Sequence, residues 1–200
     1  MLQKMVDLVL DAATKKSPTG VMTHLIDCYC GSGLFAIGSS SSFDVCVGIE
    51  VNKLAVEEAR ENAALNGIKN CAFVSASAEA IFKSKDPVRL TVDKNGDTDE
   101  ETLDEASENE SNDLLVRDFP KDSTVVVVDP PRKGCSEEFL EQLDEYRPQR
   151  VVYMSCDPAT QARDTKFLVA HGYEIVSVQP FDLFPQTRHI ECLAVFERVE

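Results

Sequence analysis

No apolar run in the sequence approaches the ~20 residues that a membrane-spanning helix needs, and the first fourteen residues lack the form of a signal peptide. A helical span is thereby excluded, and a secretory leader is not expected. Disulfide architecture is missing too: the seven cysteines are odd in number and follow no regular framework. The expectation is therefore an intracellular, reducing environment, with cytoplasm, nucleus and mitochondrion left open. Metal-ligand spacing is absent as well, because Cys28 and Cys30 have no second Cys/His pair to complete a four-ligand zinc site. Cys28, Cys30, Cys46, Cys71 and Cys192 read instead as small buried hydrophobes. There are no internal repeats.

Positive charge is scarce: 20 Lys and Arg face 35 Asp and Glu, for a net charge of −15. The deficit is concentrated. Residues 93–113 hold ten acids against Lys94 alone, so that stretch carries −9 and leaves −6 for the rest. It is poor in large apolar residues and lacks periodicity, which predicts a disordered or mobile insertion, a solvated surface loop rather than an acidic binding tail.

What is present alternates between strand and helix. Apolar strand candidates fall at 24–30, 43–50, 71–75, 124–129, 151–156, 174–178 and 190–199. Unbroken apolar runs such as 125–128 predict strands buried on both faces, as in a parallel sheet covered by helices. Asn52 is placed to cap a helix that turns Ala55, Val56, Ala59 and Ala63 to one side, with Gly67 beyond its end. Ser136 caps another, with Phe139, Leu140 and Leu143 inward. Asp157-Pro158 gives a cap followed by proline at the first helical position, and Gly172 ends that helix. Apolar residues at 2, 5, 6, 9 and 13 form a helical stripe that must pack on something. The connection 179–189 is too short for a helical crossover, so the last two strands should pair antiparallel. The fold class is α/β: a mostly parallel seven-stranded sheet with a reversed last strand, the Rossmann-like architecture of class I methyltransferases. The length suits one such domain.

Two regions carry the chemistry of a nucleotide site. Asp27-Cys-Tyr-Cys-Gly-Ser-Gly33 follows the first strand and opens a helix, and Gly31 and Gly33 allow backbone to approach a ligand where a side chain would collide. Glu50 ends the second strand, where a carboxylate can accept hydrogen bonds from ribose hydroxyls. The glycines also fit a dinucleotide fingerprint, so alone they do not discriminate. Asp129-Pro130-Pro131-Arg132 does more: a rigid acid-Pro-Pro turn at the strand-end rim suits a methyltransferase holding a substrate base. Enzymes that methylate the amino groups of adenine or cytosine usually have an aromatic residue after the prolines. Here Arg132 stands there.

Methylation at C5 of a uracil sets its own requirements. C5 is too weak a nucleophile until a thiolate adds to C6, and a base must then remove the C5 proton so that the thiolate can leave. Cys156 ends the fifth strand, directly before a helix start whose positive end favours thiolate. Glu191 begins a reversed strand, so its position falls on the same rim. Cys135, near the acid-Pro-Pro turn, is the rival nucleophile, since cytosine-C5 RNA enzymes use a cysteine there. His189 either orients an RNA phosphate or shapes its loop.

Together with Tyr153-Met-Ser-Cys156-Asp-Pro, Asp129-Pro-Pro-Arg-Lys-Gly134 and Phe184-Pro-Gln-Thr-Arg-His-Ile-Glu191, the Asp27–Gly33 motif resembles the tRNA (uracil-5-)-methyltransferase family, nearest in wording to its fungal branch, which makes ribothymidine in the T-loop. The likeness covers nearly the whole chain apart from the acidic insertion. It implies S-adenosylmethionine as cofactor, tRNA as partner, Cys156 as nucleophile, Glu191 as proton acceptor, and Tyr29, Glu50 and Asp129 as cofactor-site positions, Asp129 also reaching the target base. Family members often carry asparagine where this chain has Leu34, so that contact is not transferred. The family also has an upstream RNA-binding region and an upstream glutamine at the cofactor site, neither found in these 200 residues. The chain is thus expected to be a C-terminal catalytic domain. A cofactor- or RNA-binding fragment without turnover, or a cytosine-C5 RNA methyltransferase, are the other readings.

Overall fold

The computed structural model describes residues 2–17, 20–82, 89–92, 98–99 and 112–199. Five helices are α1 (Leu2–Thr14), α2 (Leu34–Ser39), α3 (Lys53–Leu65), α4 (Glu137–Tyr146) and α5 (Pro158–Ala170). The strands are β1 (His24–Cys28), β2 (Val45–Glu50), β3 (Cys71–Ser75), β4 (Arg89–Val92), β5 (Thr98–Asp99), β6 (Asn112–Leu115), β7 (Thr124–Val128), β8 (Arg150–Ser155), β9 (Tyr173–Phe181) and β10 (Glu191–Arg198).

Seven strands form the main sheet in the order β3-β2-β1-β7-β8-β10-β9. Every pairing from β3 to β8 is parallel, while β10 runs antiparallel to both β8 and β9. The expected architecture is therefore present, and β10 is the reversed strand, wedged between β8 and the edge strand β9. The expected strands are found, with ends that differ by up to three residues. β1 stops at Cys28 rather than 30, and β8 stops at Ser155, leaving Cys156 in a bend.

β7 shows why the sheet lies in the middle. Val125, Val126, Val127 and Val128 are all at most 1 % exposed. Successive side chains of a strand point to opposite faces, so Val126 and Val128 join one apolar cluster and Val125 and Val127 the other. The first cluster takes Phe139, Leu140, Leu143 and Leu168 from α4 and α5. The second takes Met5, Val6, Val9 and Ala13 from α1, Phe35 and Ala36 from α2, and Val56, Ala59 and Ala63 from α3. The stripe on the first helix thus meets α2 and β8. Ala55, expected inward, is only half-buried.

Capping follows the sequence. Asn52 accepts from the Leu54 amide at 3.0 Å, Ser136 from Phe139 at 3.2 Å, and Asp157 from Ala159 at 2.9 Å, with Pro158 opening α5. One buried cation ties α1 to the sheet: Arg150, 1 % exposed, pairs with Glu197 and donates to the Ala12 carbonyl at 2.8 Å.

A second, three-stranded antiparallel sheet in the order β5-β4-β6 was not expected from the sequence. It takes in Thr98–Asp99 from the stretch read as a disordered or mobile insertion, and Asn112–Leu115 at its border. The remainder of that stretch lies outside the described residues.

Candidate active site

From β1 the chain winds outward through β2 to β3, then returns to place β7 on the other side of β1. This reversal of strand order opens a crevice beyond the carboxyl ends of β1 and β7, the usual ligand position in open α/β sheets. A cleft of about 830 Å³ occupies it. Tyr29 enters from the end of β1, Glu50 from β2, Asp129 from β7 and Cys156 from β8, while the start of β10 brings in Glu191. Five of the seven candidate residues therefore share one cavity, although 162 positions separate Tyr29 from Glu191 in sequence.

The two glycines form the turn beside it. Gly31 has φ +54, and a Cβ built there meets nothing within 4 Å, so its surroundings are open. Its amide donates to Glu50 at 3.2 Å, and the Asn52 amide donates to the other oxygen of that carboxylate at 2.9 Å. Glu50 is thereby fixed in direction with acceptor capacity to spare. Gly33 is glycine for a different reason. At φ +88 its Cβ would lie 2.8 Å from the ring of Phe73 on β3, so the close neighbour is protein rather than ligand space. Tyr29 is itself left-handed, at φ +64, a conformation that costs a non-glycine residue on the order of 1–3 kcal/mol and tends to occur at functional sites. Its ring packs edge-on against Phe139 at 5.8 Å.

Asp27, beneath this turn, is fully buried. One oxygen accepts from the Ala36 amide at 3.0 Å, and the other has no partner among the described residues. Burial pushes its carboxyl up to about 8, with the charges of Asp129 and Glu50 adding to the effect. On the cleft itself, the fixed Glu50 carboxylate with acceptor capacity to spare and the open turn at Gly31 beside it suit the ribose hydroxyls of a nucleoside ligand. The residues fit S-adenosylmethionine.

Cys156 is half-buried between β8 and the cap Asp157. Ser155 pins this bend in both directions, accepting from the Asp157 amide at 3.1 Å and donating to its carbonyl at 3.0 Å. The helix that follows is tied to Glu191's strand: buried Gln161 donates to the Tyr153 carbonyl of β8 and the Cys192 carbonyl of β10, both at 3.0 Å. Burial pushes the carboxyl of Glu191 above its ordinary range, against the pull of Arg132 and His189. Asp129 is exposed by surface area, yet the cleft walls crowd its carboxyl. That enclosure, and then the negative charge of Glu191, lifts its carboxyl to about 6. Asp129, Glu191 and the Cys156 thiol thus face a common space, the residue types that nucleophilic catalysis with a proton acceptor requires.

Cys135 is placed otherwise. It is 4 % exposed, burial pushes its thiol up to about 12, and it lines a separate cavity with Arg163 and Phe167. Its backbone has a structural use. Asp164 of α5 accepts from the Cys135 amide at 2.9 Å and from the Tyr153 hydroxyl at 2.7 Å, and Arg163 donates to the Cys135 carbonyl at 2.9 Å. The acid-Pro-Pro loop is therefore anchored to the helix that begins beside Cys156.

Sequence reasoning did not single out Asp27's burial or Glu79. Glu79 lines the cleft after β3. Burial raises its carboxyl, but hydrogen bonds from Ser77 and Ser136, with the charge of Lys133, outweigh burial and hold it below the ordinary range. Its position just past the end of a third parallel strand was the signal available.

Comparison with known proteins agrees with this architecture. Residues 1–199 match the family model described as tRNA (Uracil-5-)-methyltransferase. The chain is 36% identical over 192 residues to the tRNA (uracil(54)-C(5))-methyltransferase of Saccharomyces cerevisiae, covering 94% of this chain and 25% of that protein. The enzyme of that name from Schizosaccharomyces pombe is 36% identical over 180 residues, covering 88% of this chain and 28% of that protein. Among solved structures, the tRNA (uracil-54, C5)-methyltransferase of Pyrococcus abyssi in complex with S-adenosyl-L-homocysteine superposes with a TM-score of 0.65 at 26% identity, covering 96% of this chain and 37% of that one. The chain thus spans about a quarter to a third of the length of its relatives.

Proposed function

This chain belongs to the tRNA (uracil-5-)-methyltransferase family, and from that membership we propose that it is the catalytic domain of an enzyme that methylates C5 of a uridine in the T-loop of tRNA. The observation that supports this most directly is the convergence of Cys156, Glu191 and Asp129 on the cleft that Glu50 and Tyr29 also line. Gly31, Tyr29, Glu50 and Asp129 are read as the cofactor side. When bound, S-adenosylmethionine supplies an electrophilic methyl group. The protein's own residues do the rest. The Cys156 thiolate adds to C6, which makes C5 nucleophilic. Once C5 carries its methyl group, Glu191 takes the C5 proton. The electrons of that C–H bond re-form the C5–C6 double bond as the C6–S bond breaks, and the thiolate is released. Asp129 bounds the same space and positions the base. An RNA-binding region upstream of this domain is part of the proposal, in keeping with the greater length of the relatives.

A tRNA transcript containing 5-fluorouridine tests this reading. Fluorine cannot leave as a proton does, so the protein should become trapped on the RNA. Cys156→Ala should abolish the adduct and Cys135→Ala should retain it. The opposite pattern would replace the nucleophile and, with it, the reading of the site.

A further inference from the structure

Cys156 lines two cavities. Besides the main cleft it borders a pocket of about 330 Å³, lined also by Arg132, Arg188, His189 and the cap Asp157. The basic side chains arrive from two distant segments. Arg132 comes from the acid-Pro-Pro loop, and its carbonyl accepts from Thr160 of α5 at 3.1 Å. Arg188 and His189 come from the loop before β10. That loop folds on itself: the Thr187 amide and hydroxyl both bond the Phe184 carbonyl, at 3.1 and 2.7 Å, and the His189 amide donates to the Thr187 hydroxyl at 3.2 Å. The His189 ring stands edge-on to Phe184 at 6.4 Å, and its Nδ1 lies 3.5 Å from an Arg132 guanidinium nitrogen.

Among the described residues neither Arg132 nor Arg188 has a carboxylate within ion-pair distance. The one carboxylate of the pocket, Asp157, is engaged by the Ala159 and Thr160 amides of α5. In a chain with a net charge of −15, two guanidiniums without an ion-pair partner among the described residues and an imidazole around one small concavity are matched to a phosphate, which arginine holds through paired charge-assisted hydrogen bonds. Position adds a second constraint. In a nucleotide of ordinary anti conformation, C6 of a pyrimidine lies over the 5′ side of its own ribose. A base whose C6 meets the Cys156 thiol from the cleft therefore keeps its 5′-phosphate close to that thiol, which the small pocket also borders.

We propose that the pocket formed by Arg132, Arg188 and His189 binds the 5′-phosphate of the target uridine, so that one nucleotide straddles Cys156 with its base in the cleft and its phosphate in the pocket. The inference rests on Cys156 being the reacting thiol, and it makes these residues specific for nucleotide over nucleoside.

The test is an amide NMR titration of the chain with uridine 5′-monophosphate, uridine and inorganic phosphate, and separately with S-adenosylhomocysteine. Both phosphate probes should shift the amides of Arg188, His189 and Ile190, and uridine should leave them in place. Arg132→Gln with Arg188→Gln should weaken uridine 5′-monophosphate roughly tenfold or more, the loss expected for a charge-assisted hydrogen bond. The response of Gly31 and Val51 to S-adenosylhomocysteine should survive in that double variant. Equal shifts from uridine and its monophosphate, an unweakened double variant, or no shift from either phosphate probe up to its solubility limit would each overturn the pocket. The S-adenosylhomocysteine arm separates the two readings: its failure alone removes the cofactor assignment and leaves the phosphate pocket standing.

Discussion

Cys192 pairs with Ser155 at the end of the β8–β10 ladder, so one further step of the same register sets Glu191 opposite Cys156. The relationship exists because β10 is inserted antiparallel beside β8 rather than added at the sheet edge. A parallel last strand would have carried its first residue to the far rim.

From this placement follows the outcome of Glu191→Gln. The amide keeps size and polarity but cannot take the C5 proton, so addition and methylation proceed and release does not. A methylated covalent protein–RNA intermediate should accumulate, and turnover should fall about 10²–10⁴-fold, or about 3–5 kcal/mol. Mass analysis of the denatured complex reads the trapped species. Release of product at the unaltered rate would remove Glu191 from this role.

The same substitution should be visible at Asp129. Its carboxyl sits at about 6 because of enclosure first and the charge of Glu191 second. Removing that charge leaves enclosure alone, so in Glu191→Gln the Asp129 carboxyl should titrate below about 6 yet above the ordinary carboxylate range. Carbon-13 NMR of the side-chain carboxyl reads this without any turnover. A value that stays put would mean the two groups do not sense each other.

Much of this site was legible because its residues stand at ends of elements. A parallel sheet gathers its strand ends on one rim, so Glu50, Asp129 and Cys156 could be grouped from sequence once their strands were found. Glu191 required one more inference, the reversal of its strand, which the short connection before it supplied. The neighbour relation of β10 to β8 was not legible, since pairing order is set by long-range packing. Gly33 was read as ligand space because a sequence does not reveal Phe73 approaching from another strand. Asp27 gave no hint of being neutral, since burial is a property of the assembled core. The small sheet of β4, β5 and β6 was obscured by charge: its strands are short, and β5 consists of Thr98 and Asp99 alone.

Asp27 gives a prediction about stability. Its carboxyl is raised in the folded chain to about 8 by burial, whereas in the unfolded chain it ionises near about 4. Between those values the unfolded state has lost the proton and the folded state retains it. Stability therefore falls as pH rises, by about 1.4 kcal/mol per pH unit from this group, and levels off above about 8. Asp27→Asn preserves the acceptor for the Ala36 amide and removes the titration. Urea unfolding of the two proteins should agree near pH 4 and diverge as pH increases, with the variant more stable. Parallel curves would show that Asp27 is ionised in the core.

The charge distribution leads to a last prediction, about how so acidic a domain serves an RNA substrate. Even without the −9 of residues 93–113 the chain carries −6, whereas nucleic-acid affinity comes largely from neutralising phosphates and releasing counterions. Arg132, Lys133 and Arg188 are exposed beside the cleft, enough to orient one nucleotide but not to hold a whole tRNA. Phosphate contacts of this kind set position, while the bulk of affinity must come from elsewhere. The isolated chain should therefore bind tRNA weakly, and a longer protein that includes an upstream RNA-binding region should bind more tightly. It should also respond more steeply to salt, by roughly 0.9 log unit of affinity per log unit of salt for each additional duplex phosphate contacted. Affinities of both proteins for one tRNA across a salt series decide the matter. A shared slope and equal affinity would mean that this domain carries its own complete RNA surface, and that net charge is a poor guide to where the tRNA lies.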